Sequence, residues 1–323
     1  MNKPRAMHVF AALSVGLLAA LVPHDVGAIH GGVEVAADDP GARASVIVTV
    51  RGGSCSGLVY GDRFIITAAH CLIDKDFKPT IAPQDVTITY ARSLHQPDAA
   101  IRKAAALLVH ENFPRQVADF LAATGDLPFA QYPINHEDIA LIRVDGVHPA
   151  GALSAALPEI NNDYVFCCIP HLRSGPLVWA DVYGFGAAPR GETLHKLRAS
   201  AVTPDILRPG KDPDLGQFYI PRQIAFQPDA PPAAGGPARG VCHGDSGGPA
   251  FFVATTRTHD APTGALKLVR GLPLAIGLAT RVLPPHAEPG QPVQELPECT
   301  GSFVLVRLDY YRDWILSRIK QMH

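Results

Sequence analysis

The apolar positions of this chain fall into short runs separated by turn residues. The runs are Ser45–Val50, Phe64–Ala69, Val86–Tyr90, Ala105–His110, Ile139–Val144, Val178–Tyr183, Leu194–Val202, Ala250–Ala254, Leu272–Leu278 and Phe303–Leu308. Most are rich in Val, Ile and Thr, with alternating or continuous apolar character and Gly, Pro or Asp at their ends, which is the signature of strands. Many short strands with turn signals between them predict an all-β sandwich or barrel. Helical periodicity is sparse. It predicts a helix over Gln116–Ala123 and a second over Asp309–Gln321, where Tyr311, Trp314, Ile315 and Ile319 share one face and Asp309 stands where a cap is expected.

Three segments read as long surface loops: Glu111–His136, the Pro/Ala/Gly-rich Gln227–Gly240 and the Pro-rich Leu283–Glu298. Residues 1–28 have a different character. Lys3 and Arg5 precede an apolar run from Ala6 to Val22, and Val26-Gly27-Ala28 ends the segment with small residues. That is the pattern of a secretory signal peptide, with an apolar run short for the ~20 residues of a membrane span. The expectation is an export signal over 1–28 and a secreted or periplasmic unit over 29–323, free of the membrane after signal removal.

Composition narrows the function classes. The 28 basic and 30 acidic residues leave a net charge of −2, without the basic footprint of a nucleic-acid binder. The 29 glycines and 30 prolines are too many for a helical bundle and, without a repeat, do not describe collagen. Six cysteines in an exported chain make disulfides admissible.

The candidate chemistry lies in three stretches, in the order histidine, aspartate, serine: Thr67-Ala68-Ala69-His70-Cys71, Asp138-Ile139-Ala140-Leu141 and Gly244-Asp245-Ser246-Gly247-Gly248-Pro249. A serine hydroxyl needs a base within hydrogen-bond reach, and the base needs a third group to fix its tautomer and stabilise its charged form. One of 14 histidines taken alone is more often structural than catalytic, and a lone Gly-Asp-Ser is usually a turn. The joint occurrence in strand-like contexts is what carries the signal. Metal-site motifs such as HExxH or paired CxxC are absent from the sequence.

These stretches resemble the chymotrypsin/trypsin-like serine endopeptidase family, whose TAAHC, DIAL and GDSGGP patterns are matched without substitution. The resemblance implies two antiparallel six-stranded β-barrels with a C-terminal α-helix, and a catalytic site between the barrels. It implies His70 as general base and acid, Asp138 as its orienting group and Ser246 as nucleophile. The oxyanion hole would be the backbone N–H groups of Gly244 and Ser246. Protein or peptide substrates follow, with a protein inhibitor as a conceivable partner, and no cofactor is implied.

The same resemblance pairs Cys55 with Cys71 and Cys242 with Cys299. It leaves Cys167 and Cys168 open between a vicinal disulfide, two free thiols and an intermolecular bridge. Ile29-His30-Gly31-Gly32 resembles the new N-terminus of activated family members, whose ammonium pairs with the aspartate before the nucleophile, here Asp245. The residue before Ile29 is Ala28 rather than a basic residue, so export itself would create that terminus.

For specificity, Gly240 stands at the position matching the pocket floor, without the aspartate of a trypsin-type pocket. Ile276-Gly277-Leu278-Ala279 resembles the pocket wall and substrate-pairing strand, although the usual Ser-Trp-Gly is missing, and Phe303 falls where the family commonly has glycine. Small or medium apolar residues before the cut are expected. Two other classes compete: a catalytically silent homologue that acts as a binding protein, and an esterase, whose usual order of serine, aspartate, histidine is not the one found here.

Overall fold

The computed structural model describes residues 29–74, 78–93, 96–124, 136–158, 179–186, 193–201, 222–228, 239–253, 273–282 and 301–323. The expected signal peptide, Leu283–Glu298, Cys167, Cys168 and Cys299 lie outside the described residues.

The first part of the chain forms β1 (Val33–Glu34), a one-turn α1 (Pro40–Arg43), β2 (Ser45–Val50), β3 (Gly53–Tyr60), β4 (Phe64–Thr67), β5 (Val86–Tyr90), β6 (Ala100–Val109), α2 (Phe113–Thr124) and β7 (Ala140–Val144). Strands β2, β3, β4, β7, β6 and β5 close, in that order, into an antiparallel barrel. The second part supplies β8 (Trp179–Gly184), β9 (His195–Ala201), β10 (Gln223–Pro228), β11 (Pro249–Val253), β12 (Ala275–Val282) and β13 (Phe303–Arg307), and ends in α3 (Leu308–Met322). Here β8, β9, β10, β13, β12 and β11 close a second antiparallel barrel through the β8–β9 pairing, with β1 added at β9. Two six-stranded barrels and a C-terminal helix are the fold expected from the sequence.

Apolar residues pack into three clusters, which explains why several strands are apolar on both faces. In β2, Val46 and Val48 point into the first barrel, whereas Ile47 joins a cluster between the barrels. Ile65 and Ile66 in β4 divide in the same way, as do Ala279 and Leu278 in β12 between the second barrel and the interface. The period of two is kept, but both faces are buried. The interface cluster also takes Leu308, Tyr311 and Ile315 from α3, so the terminal helix seals the junction.

Three local expectations are corrected. Strand β3 was not anticipated, because Gly53-Ser54-Cys55-Ser56-Gly57 reads as a turn; β2 and β4 pair with it along its length and override the local preference. The helix expected over Gln116–Ala123 is present as α2 but starts earlier, at Phe113, within the segment from Glu111 also read as a loop, and its Phe113 and Val117 are buried in the first barrel's core. Asp309 does not cap α3. The N-cap is Arg307, and the Asp309 carboxylate sits in the first turn, where it accepts from Arg307 Nε at 3.0 Å.

Candidate active site

His70 lies in a 3-10 turn, Ala69–Leu72, at the end of β4. The turn is fixed by the Cys55–Cys71 disulfide, with Cα atoms 6.3 Å apart. Asp138 stands two residues before β7, which pairs with β4, so the ends of these strands carry both side chains to one point. The His70 backbone N–H donates to Asp138 Oδ1 at 2.9 Å, and His70 Nδ1 lies 2.8 Å from Asp138 Oδ2. Asp138 is fully buried and His70 only partly so. Burial alone would raise the Asp138 carboxyl, but the His70 charge, two hydrogen bonds from His70 and the Arg281 charge hold it below its ordinary value.

Ser246 arrives from the second barrel on the loop before β11. Its carbonyl accepts from the Ser56 N–H at 2.8 Å, next to the disulfide that holds the His70 turn. The Ser56 hydroxyl donates to the Gly244 carbonyl at 3.0 Å and accepts from the Phe185 N–H at 3.1 Å. Thr67 Oγ1 donates to the Ser56 carbonyl at 2.7 Å. These small residues of β3 and β4 bind the serine loop to the strand that delivers the histidine. Gly244 and Gly247 have φ of 88° and 81°, the region that glycine enters without a Cβ penalty. The loop closes on β12 as Gly247 N–H donates to Ala279 O at 2.7 Å and Ala279 N–H to Gly248 O at 2.8 Å.

Asp245 is wholly buried. Its carboxylate accepts from the backbone N–H groups of Ile29 (3.2 Å), Cys242 (2.7 Å) and Gly186 (2.8 Å). Burial dominates and raises this carboxyl to about 7, against the lowering effect of the three donors. Ile29 is 1% exposed, with φ of 42°, and packs into the second barrel's core. Its nitrogen, still joined to Ala28, is an uncharged amide donor.

The pocket residues expected from the sequence are placed differently from one another. Gly240 is buried and forms a bridge with His30, its N–H donating to His30 O at 3.1 Å. Gly277 and Leu278 pair on both sides, with β11 and β13, and both backbone groups of Ala279 are engaged by Gly248 and Gly247. Leu278 and Ala279 bury their side chains in the core, and a Cβ at Gly277 would sit 2.9 Å from Leu305 Cβ. Among the described residues, the backbone of these three positions is thus paired within the second barrel. Phe303 is fully buried and stacks on Phe226 with centroids 6.3 Å apart. Cys242 is disulfide-bonded, while its expected partner Cys299 lies outside the described residues.

Residues that the sequence did not mark surround the histidine–aspartate pair. His136 is buried with its ring edge-on to Phe113 and Phe120; burial first, then the Arg281 charge, lower it to about 4. Glu137 Oε2 lies 3.1 Å from His110 Nδ1, under the Trp314 ring. Arg281 on β12 is 5% exposed, and burial brings its guanidinium down to about 10 against the pull of Asp138. Only the unusual Arg in an apolar strand could have flagged it. Cys55, His70 and Cys71 cluster closely enough to suggest metal ligation, but the two sulfurs are bonded to each other and are not thiolates.

The sequence profile described as Trypsin matches residues 29–256. Comparison with curated protein sequences finds no match. Among solved structures, the scabies mite inactivated protease paralogue S-I1 is 17% identical, with a TM-score of 0.53 over 90% of this chain and 99% of that one. Human heparin binding protein is 16% identical, with a TM-score of 0.53 over 90% and 96%. A structure titled HL collagenase is 17% identical, with a TM-score of 0.52 over 90% and 99%. At such identities these neighbours speak for the fold, whereas the profile match covers more than half of the sequence: the chain belongs to the trypsin family.

Proposed function

We propose that this protein is a secreted or periplasmic serine endopeptidase that cleaves peptide bonds through Ser246, His70 and Asp138. The observation that carries the reading is the doubly anchored pair. Asp138, buried and ionised, takes one bond from the His70 backbone and faces Nδ1 with its other oxygen. That leaves Nε2 as the base toward the cleft. In the reaction, Ser246 Oγ attacks the scissile carbonyl as its proton passes to His70 Nε2. The Gly244 and Ser246 N–H groups receive the developing oxyanion. His70 then protonates the leaving amine, and water repeats the sequence to release the acyl group. An open cleft of about 510 Å³, bordered by Arg51, Ser54, Cys55, His70, Ile73 and Ile81, runs beside the histidine and offers room for the leaving side of a peptide.

Export would remove residues 1–28 and free the Ile29 amine to pair with Asp245. The start of the profile match at Ile29 and the burial of Ile29 against Asp245 both support this boundary. The Cys55–Cys71 disulfide fits an oxidising compartment, and no described helix is long and apolar enough to cross a membrane.

Specificity follows from the filled interior near Gly240. The stacked Phe226 and Phe303 and the adjacent Val241 occupy the second barrel, so small or medium apolar side chains before the cut should be preferred. A chromogenic peptide panel should show Ala, Val or Leu substrates turning over at least tenfold faster than Lys or Arg substrates, an order-of-magnitude expectation for a pocket without a paired acid. The reverse order would refute this preference. Loss of all turnover in Ser246→Ala, with the parent active, supports the enzyme; a parent as silent as the variant favours a binding protein on the same scaffold.

A further inference from the structure

The segment His136-Glu137-Asp138 leads into β7 and is buried along its length. A buried peptide unit needs partners for both its N–H and its C=O. The unit that links His136 to Glu137 finds them in two glutamine side chains. Its N–H, on Glu137, donates to Gln116 Oε1 at 2.9 Å, and its C=O, on His136, accepts from Gln223 Nε2 at 2.7 Å. The same carbonyl accepts from the Asp138 N–H at 2.9 Å, so the turn that aims the Asp138 carboxylate starts from the gripped unit.

The two glutamines come from different parts of the molecule. Gln116 lies on α2, which Phe113 and Val117 anchor in the first barrel's core. The His136 ring stands edge-on to Phe113 and Phe120 of that helix, with centroids 6.2 and 6.1 Å away, so α2 holds the residue by its ring as well as its neighbour by the backbone. Gln223 opens β10 of the second barrel, where it pairs with Val306 of β13 and is 1% exposed. What each amide meets dictates its orientation. The Glu137 N–H needs an acceptor at position 116, and the His136 carbonyl needs a donor at position 223. Gln223 Oε1 is left without a hydrogen-bond partner among the described residues. An apolar side chain of similar length would avoid that desolvation cost, and the His136 carbonyl would still have the Asp138 N–H, so stability alone does not account for Gln223.

The triad is divided between the barrels, with His70 and Asp138 on the first and Ser246 on the second. Ser56 ties the serine loop to the histidine side, and Gln223 ties the second barrel to the aspartate side. We propose, building on the protease reading, that Gln116 and Gln223 are positioning residues: by gripping one peptide unit from the two barrels, they fix the Asp138 carboxylate against His70 and fix that pair relative to Ser246. Neither side chain touches the reacting atoms. Each acts through the backbone ahead of Asp138, where a shift of about 1 Å would disturb both bonds to His70, and misplacement on that scale is costly to catalysis.

Four variants of the secreted protein test this: Gln116→Met, Gln116→Glu, Gln223→Met and Gln223→Glu. Methionine keeps the length and removes the polar end, whereas an ionised glutamate offers acceptors only. Both methionine variants should lower the fluorophosphonate labelling rate of Ser246 and kcat on a chromogenic peptide about tenfold, with KM within about twofold of the parent. Gln116→Glu should recover most of the rate lost in Gln116→Met, because a carboxylate still accepts from the Glu137 N–H. Gln223→Glu should fall at least as far as Gln223→Met, because it sets an acceptor against a carbonyl. The downfield NMR signal of the proton that His70 Nδ1 shares with Asp138 should be weakened by faster exchange in both methionine variants. Folded methionine variants with the parent's labelling rate and Nδ1 signal overturn the proposal, even if their melting temperatures fall, since the glutamines would then be purely structural. Equal rates in Gln116→Met and Gln116→Glu overturn it as well. If the position 223 variants do not fold, the Gln116 pair decides, since Gln116 is half-buried on a helix and both replacements are good helix formers. The Nδ1 signal needs no turnover, so it reads the glutamines even in a silent protein, while a parent that never labels refutes the protease reading separately.

Discussion

Asp138→Asn should lower turnover about 10⁴-fold while leaving the protein folded. The carboxylate holds His70 at two points, its backbone N–H at 2.9 Å and Nδ1 at 2.8 Å. An asparagine oxygen can still take the backbone bond, so the local geometry should survive. Its NH₂ would then face Nδ1 and favour the tautomer with the proton on Nε2, the atom that must accept the Ser246 proton. The expected signature is a collapse of kcat with KM nearly unchanged, because the interaction lost belongs to the transition state. Equal losses in Asp138→Asn and in a stability assay would instead assign Asp138 a purely structural role.

Residues left in front of Ile29 should reduce activity by roughly 10²–10⁴-fold, as expected for a buried ion pair worth about 3–5 kcal/mol when one partner is missing. Asp245 has three backbone donors and, among the described residues, no side-chain cation within its hydrogen bonds. In the extended chain its carboxyl is raised to about 7 by burial. A raised acid favours the fold below its ordinary value near 4, and that contribution is lost as pH rises through about 7. Once the amine is free, its pairing with the Asp245 carboxylate should keep the trimmed chain stable up to about pH 8, where an ordinary α-amine loses its proton. The melting temperatures of the extended and trimmed proteins should therefore differ least near pH 5 and most near pH 8. Active, equally stable extended protein at pH 8 would remove Ile29 and Asp245 from the account.

The sequence carried the fold where burial and local preference agree. Ser45–Val50 and Val86–Tyr90 are strands with the bounds their apolar runs suggest, since each is β-branched and bounded by turn residues. Strand β3 was hidden because Gly and Ser at positions 53–57 have no strand preference of their own; Gly57 is needed where a Cβ would stand 2.6 Å from Ile65 Cγ2. Gln223–Pro228 was hidden by its polar ends, and Gln223 turns out to donate to the His136 carbonyl at 2.7 Å inside the protein.

The three motif stretches were legible because they pair unusual residue types in short strings. What surrounds them was not. Ser56 and Arg281 reach the site only through pairings across tens to hundreds of residues, whereas His136 and Glu137 adjoin Asp138 in sequence but carry no motif that marks them. Gly277, Leu278 and Ala279 were named by similarity alone, and their pairing with β11 and β13 depends on residues distant in sequence.

The most direct test of a Ser246-centred protease is the intact mass of the secreted protein after exposure to a fluorophosphonate, followed by mapping of the modified residue. The account predicts one adduct, on Ser246, in a chain that begins at Ile29, with no adduct in Ser246→Ala or after denaturation. A properly folded chain beginning at Ile29 that stays unmodified, or an adduct on another residue, would contradict it.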